Sequence, residues 1–159
     1  EAEIAVKLGE DLPLTNTPYN INSVIDAIES CMTSIELVDA RYFDYRKLDT
    51  PTMVADNFFN AACVLGHPHD FSEDTDLASI EGNLKVNGNI IGKGLGSLIM
   101  GHPLQALAWL ANKLAERNRN LKAGQFITLG SIVTTYWALP GDLIEVEMSG
   151  LGSIKIKFE

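Results

Sequence analysis

Three carboxylates carry the most suggestive chemistry in this sequence. The chain opens Glu1-Ala2-Glu3 and runs into Ile4-Ala5-Val6-Lys7-Leu8. Alternate residues of a strand share a face, so Glu1 and Glu3 point one way while Ala2, Ile4, Val6 and Leu8 form the apolar opposite face. A second β-like run, Ser34-Ile35-Glu36-Leu37-Val38, sets one carboxylate among aliphatic residues. An ionised carboxylate among apolar neighbours is costly unless it is paired or coordinates a metal. Glu1, Glu3 and Glu36 could therefore converge on one hard cation that prefers oxygen ligands, Mg²⁺ or Mn²⁺. The spacing equally allows a solvated strand face for Glu1 and Glu3, with Glu36 paired to Arg41 or Lys47.

Other reactive side chains make weaker patterns. His67 and His69 alternate as ligands can, but Pro68 separates them and no further ligand is near in sequence. His102 follows a glycine and precedes Pro103, a position that suits capping of the helix Pro103 begins. Cys31 and Cys63 form neither a metal-type spacing nor a disulfide framework, which fits reduced thiols in the cytoplasm. The run Gly92-Lys93-Gly94-Leu95-Gly96-Ser97 lacks the spacing of a phosphate-binding loop, and no Gly-x-Ser-x-Gly elbow for a serine nucleophile occurs.

The elements that must position these residues read as mostly β. Ile21, Val24, Ile25, Ile28 and Met32 form a helical stripe over residues 22–33. A short turn starts at Thr50-Pro51. Asn60 to Leu65 reads as a buried strand. Asn87-Gly88 joins two strands as a tight hairpin, and Gly92 to Gly96 reads as a loop in which backbones approach closely. Leu104, Leu107, Leu110, Ala111 and Leu114 recur at helical spacing from Pro103 to about Arg117. Four β runs follow, Gln125 to Leu129, Ile132 to Trp137, Leu143 to Met148 and Ser153 to Phe158. With 159 residues and 46% apolar composition the chain can bury one core. Its net charge of −9 argues against nucleic acid or an anionic membrane as the main partner. A chain that begins within a strand pattern suggests a fragment or a processed protein.

Taken in order, several stretches resemble the fumarylacetoacetate hydrolase superfamily, in its 2-oxopent-4-enoate hydratase and 4-oxalocrotonate decarboxylase branch. They are Glu1-Ala-Glu-Ile-Ala-Val6, Ile35-Glu-Leu-Val-Asp-Ala-Arg41, Val54-Ala-Asp-Asn57, the run from Gly101-His-Pro to Asn112, Leu121-Lys-Ala-Gly124, Pro140-Gly-Asp142 and Gly150-Leu-Gly-Ser153. Each is weak alone; together they span essentially the whole chain. The resemblance implies an α+β fold, a mixed β-sandwich roll with a few flanking helices, forming one catalytic-type domain over residues 1–159 without the family's N-terminal segment. It implies Glu1, Glu3 and Glu36 as ligands of Mg²⁺ or Mn²⁺. It further implies Asp56 and Asn57 as catalytic groups, and Thr128, Gly130 and Ser131 as substrate contacts.

The activity implied is hydration of a short 2-hydroxy-dienoate or 2-oxo-enoate in aromatic catabolism, by a cytoplasmic homo-oligomer acting on a small 2-oxo acid. A decarboxylase of the 4-oxalocrotonate type, or an acylpyruvate carbon–carbon hydrolase, uses the same scaffold. A non-catalytic scaffold protein is the rival from another class. Three departures favour that rival: the family's upstream lysine is missing, Phe59 stands where serine is common, and Leu129 interrupts the expected Thr-Gly-Ser run. Thr128 loses its substrate contact if it faces the wrong way, unless a local register shift restores it.

Overall fold

The computed structural model describes residues 1–159 as two antiparallel sheets with short helices around them. The first sheet holds β1 (Ala2–Leu8), β2 (Ile28–Val38), β3 (Asn60–Leu65), β4 (His69–Asp70) and β7 (Phe126–Ser131). Its order is β3-β2-β1-β7, with the two-residue β4 also on β2. The second sheet has the order β6-β5-β8-β9, from β5 (Glu81–Val86), β6 (Asn89–Leu95), β8 (Leu143–Met148) and β9 (Gly152–Lys157). The helices are α1 (Ile21–Ile25), α2 (Thr50–Ala55) and α3 (Pro103–Ala115). This is the sandwich roll with few helices that the sequence leads one to expect, and every strand pair in it is antiparallel.

The alternation in β1 performs as its spacing requires. Ala2, Ile4, Val6 and Leu8 are fully buried and join Leu84, Val146 and Met148 of the second sheet in one core. The Thr33 hydroxyl donates to the carbonyls of Leu151 and Gly152, both at 3.1 Å, and ties β2 to the β8–β9 turn. Helix α3 packs on β7 and α1. Its Asn112 amide brackets the Tyr19 backbone, accepting from the N–H at 2.7 Å and donating to the carbonyl at 2.9 Å. The hairpin at Asn87-Gly88 forms with both residues at positive φ, 49° and 83°, as a two-residue turn of this kind demands. His102 caps α3, its Nδ1 accepting from the Leu104 N–H at 3.1 Å.

Four expectations are corrected. Asn60–Leu65 is a strand but not a buried one: β3 lies at the edge of its sheet, with Ala61 and Ala62 exposed. The helix over residues 22–33 shrinks to Ile21–Ile25, and Ile28 onward belongs to β2. β2 is an interior strand buried on both faces, so its apolar residues lose alternation and mimic a helical stripe. The Gly92–Gly96 loop is instead largely strand, since β6 continues to Leu95. Close backbone approach does occur there: a Cβ on Gly94 would lie 1.9 Å from the Ile132 carbonyl oxygen. Ile132 to Trp137 is not a strand. Its first residue is buried against β5, where a Cβ on Gly82 would stand 2.1 Å from Ile132 Cδ1. Only Ile132 is buried between the sheets; the rest of the run is half-buried or exposed, with Trp137 55% exposed.

Candidate metal centre and adjoining cavity

The antiparallel register of β1 and β2 sets Glu3 opposite Ser34 and Ala2 opposite Ile35. The Glu36 N–H donates to the Glu1 carbonyl at 3.1 Å, which extends that register by one step. Glu1, Glu3 and Glu36 therefore share a face, and one carboxylate oxygen from each lies within 4.8 Å of the other two. Each carboxylate is steadied by a donor from a different segment. The Gly130 N–H donates to Glu3 Oε2 at 2.9 Å. The Asn60 amide donates to Glu36 Oε1 at 2.8 Å. The Thr135 hydroxyl donates to Glu1 Oε1.

No lysine or arginine side chain pairs with this trio. Arg41 is engaged by Asp56 at 3.0 Å and Lys47 by Asp44 at 3.3 Å, so neither serves Glu36. Glu3 is only 3% exposed. Burial pushes its carboxyl up to about 7, the Gly130 N–H opposes the rise, and the charges of Glu36 and Glu1 add to it. Three clustered oxygen donors without a basic side chain to neutralise them suit a hard divalent cation.

Of the residues implied for substrate contact and catalysis, Gly130 and Ser131 lie against Glu3 on β7, whereas Asp56 and Asn57 stand at the end of α2 and hydrogen-bond to none of the trio. Ser131 pairs with Glu3 and Thr128 with Ala5, so two steps along β1 oppose three along β7. This bulge falls at Leu129-Gly130, with Gly130 at φ 130°. It keeps Thr128 and Ser131 on the Glu3 face while Leu129 enters the core. The Thr128 side is thus preserved by a local register shift. Gly130 gives its N–H to Glu3, and Ser131 donates its hydroxyl to the Val133 carbonyl at 2.8 Å. Asp56 ends α2, with Oδ1 paired to Arg41 and Oδ2 buried without a hydrogen-bond partner. Asn57, Phe58 and Phe59 follow at positive φ of 53°, 48° and 68°. Three successive non-glycine residues in that region concentrate backbone strain next to β3. Phe59 turns into an aromatic cluster, edge-on to Tyr42 and Tyr45 at centroid distances of 6.0 and 6.1 Å. The histidines at 67 and 69 meet each other edge to face and join no ligand cluster.

A cavity of about 280 Å³ opens beside Glu1 and Glu36, where the end of β2 faces β5 and β8. Leu37, Leu84, Ile144 and Phe158 contribute to its apolar wall, and Trp137 stands at the same site. Phe59 is not part of that wall. Sequence reasoning did not single out Asn60, Thr135 or this cavity. Each depends on long-range packing, and neither Asn60 nor Thr135 lies in a motif that flags it.

A two-sheet roll that gathers three carboxylates on neighbouring strands, each held by a separate donor, presents a candidate metal centre. The fumarylacetoacetate (FAA) hydrolase C-terminal family matches over residues 1–159, and the chain belongs to that family. It is 37% identical to a 4-oxalocrotonate decarboxylase of Pseudomonas putida over 99% of this chain and 59% of that protein. It is 35% identical to a 2-hydroxyhexa-2,4-dienoate hydratase of Comamonas testosteroni, again over 99% and 59%. Among solved structures, the 4-oxalocrotonate decarboxylase of Pseudomonas putida G7 complexed with magnesium and adipate superposes with a TM-score of 0.91. That likeness has 35% identity and covers 100% of this chain and 59% of the other. The chain thus spans about three-fifths of the length of these relatives. No helix is long and apolar enough to cross a membrane.

Proposed function

We propose that this chain is a catalytic-type domain of a divalent-metal-dependent lyase that hydrates a short 2-oxo-enoic acid, as the hydratase relatives are named to do. The single observation that carries the reading is the convergence of Glu1, Glu3 and Glu36 within 4.8 Å, unpaired by any basic side chain. The family's homologues that carry hydratase names support the choice of reaction. Glu1, Glu3 and Glu36 hold the cation, Mg²⁺ by preference and Mn²⁺ as a substitute. When bound, the cation supplies Lewis acidity toward the 2-oxo and carboxylate oxygens of the substrate.

The chain's own residues prepare that encounter. Gly130, Asn60 and Thr135 orient the three carboxylates, the kind of outer support that fixes ligand geometry. Asp56 handles the proton during addition of water, because its Oδ2 is buried and uncommitted while Arg41 fixes Oδ1. Asn57 sets the strained turn that carries Asp56 into β3. Thr128, Gly130 and Ser131 border the substrate on the Glu3 side of β7. We further propose that the protein works in the cytoplasm as a homo-oligomer.

A second reading, decarboxylation of a 2-oxo acid at the same centre, is favoured by the 37% identity to the decarboxylase from Pseudomonas putida. Titration calorimetry with Mg²⁺ and Mn²⁺ tests the metal site. Binding should be present in the wild type and lost in Glu3→Ala and in Glu36→Ala; equal binding in both variants refutes the assignment. Loss of 2-hydroxypentadienoate ultraviolet absorbance without carbon dioxide release supports hydration. Metal-dependent carbon dioxide release from 4-oxalocrotonate, with no absorbance loss from the dienoate, selects the second reading.

A further inference from the structure

The second sheet ends on one side at β6, which pairs with β5 alone and leaves its other edge open. An open edge presents backbone N–H and C=O groups that another strand can take up. No proline interrupts β6, and Lys93 is its one charge. Ile91 is the extra residue of a bulge opposite Leu84 and Lys85, and Ile90, Ile91 and Leu95 are 49%, 48% and 43% exposed. Leu98, 66% exposed, lies against the same strand, since a Cβ on Gly94 would stand 3.2 Å from its Cδ1. The neighbouring strands differ. β5, β8 and β9 carry charges that pair across the sheet, Lys85 with Glu147 and Lys155 with Glu145.

The charge pattern along the chain marks the same place. From Asn87 to Asn112 the only lysine, arginine, aspartate or glutamate is Lys93, in a chain of net charge −9. Two copies of so acidic a protein repel each other over most of their surface and meet closely only where neither carries an acid. A basic partner would be drawn to the acidic surfaces instead. We infer that the open edge of β6, with Leu98 beside it, is where a second copy of this chain docks. A two-fold axis normal to the sheet sets the two β6 strands antiparallel and joins two four-stranded sheets into one. Ile90, Ile91, Leu95 and Leu98 of both copies are then covered, and the ammonium of Lys93 reaches water along its own stem. The inference rests on the homo-oligomer proposed above and adds the surface that forms it.

Sedimentation velocity over a dilution series tests this. The wild type should self-associate. Ile90→Glu combined with Leu98→Glu should raise the dissociation constant about tenfold or more, because it sets new acids against each other across the two-fold axis. Both side chains are already about half exposed or more in the single chain, so the double variant should keep the wild-type circular dichroism. Val54→Glu, at an exposed position on α2, is the control and should associate as the wild type does. Hydrogen exchange needs no variant. Over the concentrations at which the sedimentation boundary shifts, amides of Asn89–Leu95 should gain protection, while those of Gly152–Lys157, on the opposite edge of the same sheet, should not. An assembly of unchanged size and affinity in the double variant, or exchange in β6 that ignores association, overturns the docking surface while leaving the homo-oligomer standing. A wild type that stays monomeric overturns both.

Discussion

Replacing Glu3 with glutamine should stabilise the metal-free protein at pH 8 while removing its response to Mg²⁺. The magnitude follows from the carboxyl's rise from an ordinary 4.5 to about 7. At about 1.36 kcal/mol per pH unit this amounts to roughly 3 kcal/mol. Below pH 4.5 the group is neutral in both folded and unfolded chains and contributes nothing. Between 4.5 and 7 the unfolded chain releases its proton and the folded one keeps it. Stability therefore falls as pH rises, and the full loss is in place above pH 7. Glutamine has nearly the same shape, carries no charge, and keeps an oxygen to accept the Gly130 N–H. For a chain of this size, roughly 2–4 °C accompanies each kcal/mol. Thermal unfolding in EDTA should thus place Glu3→Gln several degrees above wild type at pH 8 and level with it at pH 4. Mg²⁺ at a hundredfold excess over its Kd should raise wild-type stability by about 2.7 kcal/mol and leave the variant unmoved. A variant that melts at or below wild type at pH 8 in EDTA would refute the argument that the trio is an electrostatically strained cation site.

Four further outcomes follow from particular positions. Asn60→Ala removes the amide that holds Glu36 and should weaken Mg²⁺ binding by about 10- to 100-fold in calorimetry, the usual cost of losing an outer support. Asp142 accepts from the Leu139 N–H, the Asn87 amide and the Tyr136 hydroxyl, and the Leu139 bond chiefly holds its carboxyl below the usual 3.8. Asp142→Asn should lower the melting temperature at pH 7, and the difference from wild type should close as pH falls through the depressed value. Gly94→Ala places a methyl 1.9 Å from the Ile132 carbonyl oxygen, so it should give little soluble protein. By contrast Gly88→Ala meets no neighbour, suffers only from its φ of 83°, and should fold with a loss of about 1 kcal/mol in urea unfolding.

Much of the architecture was legible where local chemistry and tertiary environment agree. The alternation of β1, the Asn87-Gly88 turn, and Pro103 with its helical leucines each state their structure within a few residues. β2 misled because a strand buried on both faces has no polar beat, and five of its apolar and neighbouring residues coincide with helical spacing. Residues 132–137 misled for the opposite reason. Their β-like composition is used to lodge Ile132 between the sheets and to bring Thr135 to Glu1, neither of which a local pattern encodes. The carboxylate trio was visible as two fragments of strand pattern, but their approach depends on the β1–β2 register. The donors Asn60 and Thr135 are 24 and 134 residues from the carboxylates they hold.

The bulge at Leu129-Gly130 shows how a single residue decides what the site contains. In a regular ladder Thr128 and Gly130 would share one face and Leu129 and Ser131 the other. Either choice would then forfeit a hydroxyl beside Glu3 or expose Leu129. One additional residue on β7 resolves the conflict: Leu129 goes to the core, and Thr128 and Ser131 both stay on the carboxylate side. The same irregularity frees the Gly130 N–H from β1 and turns it on Glu3 Oε2. An apparent departure from the expected Thr-Gly-Ser run is thus the device that both buries an apolar side chain and supplies a hydrogen bond to the Glu3 carboxylate. Deleting Leu129 should restore a regular ladder, withdraw that donor, and weaken Mg²⁺ binding even though all three carboxylates remain. Undiminished Mg²⁺ affinity in a folded deletion variant would show that the bulge has no part in holding the metal centre.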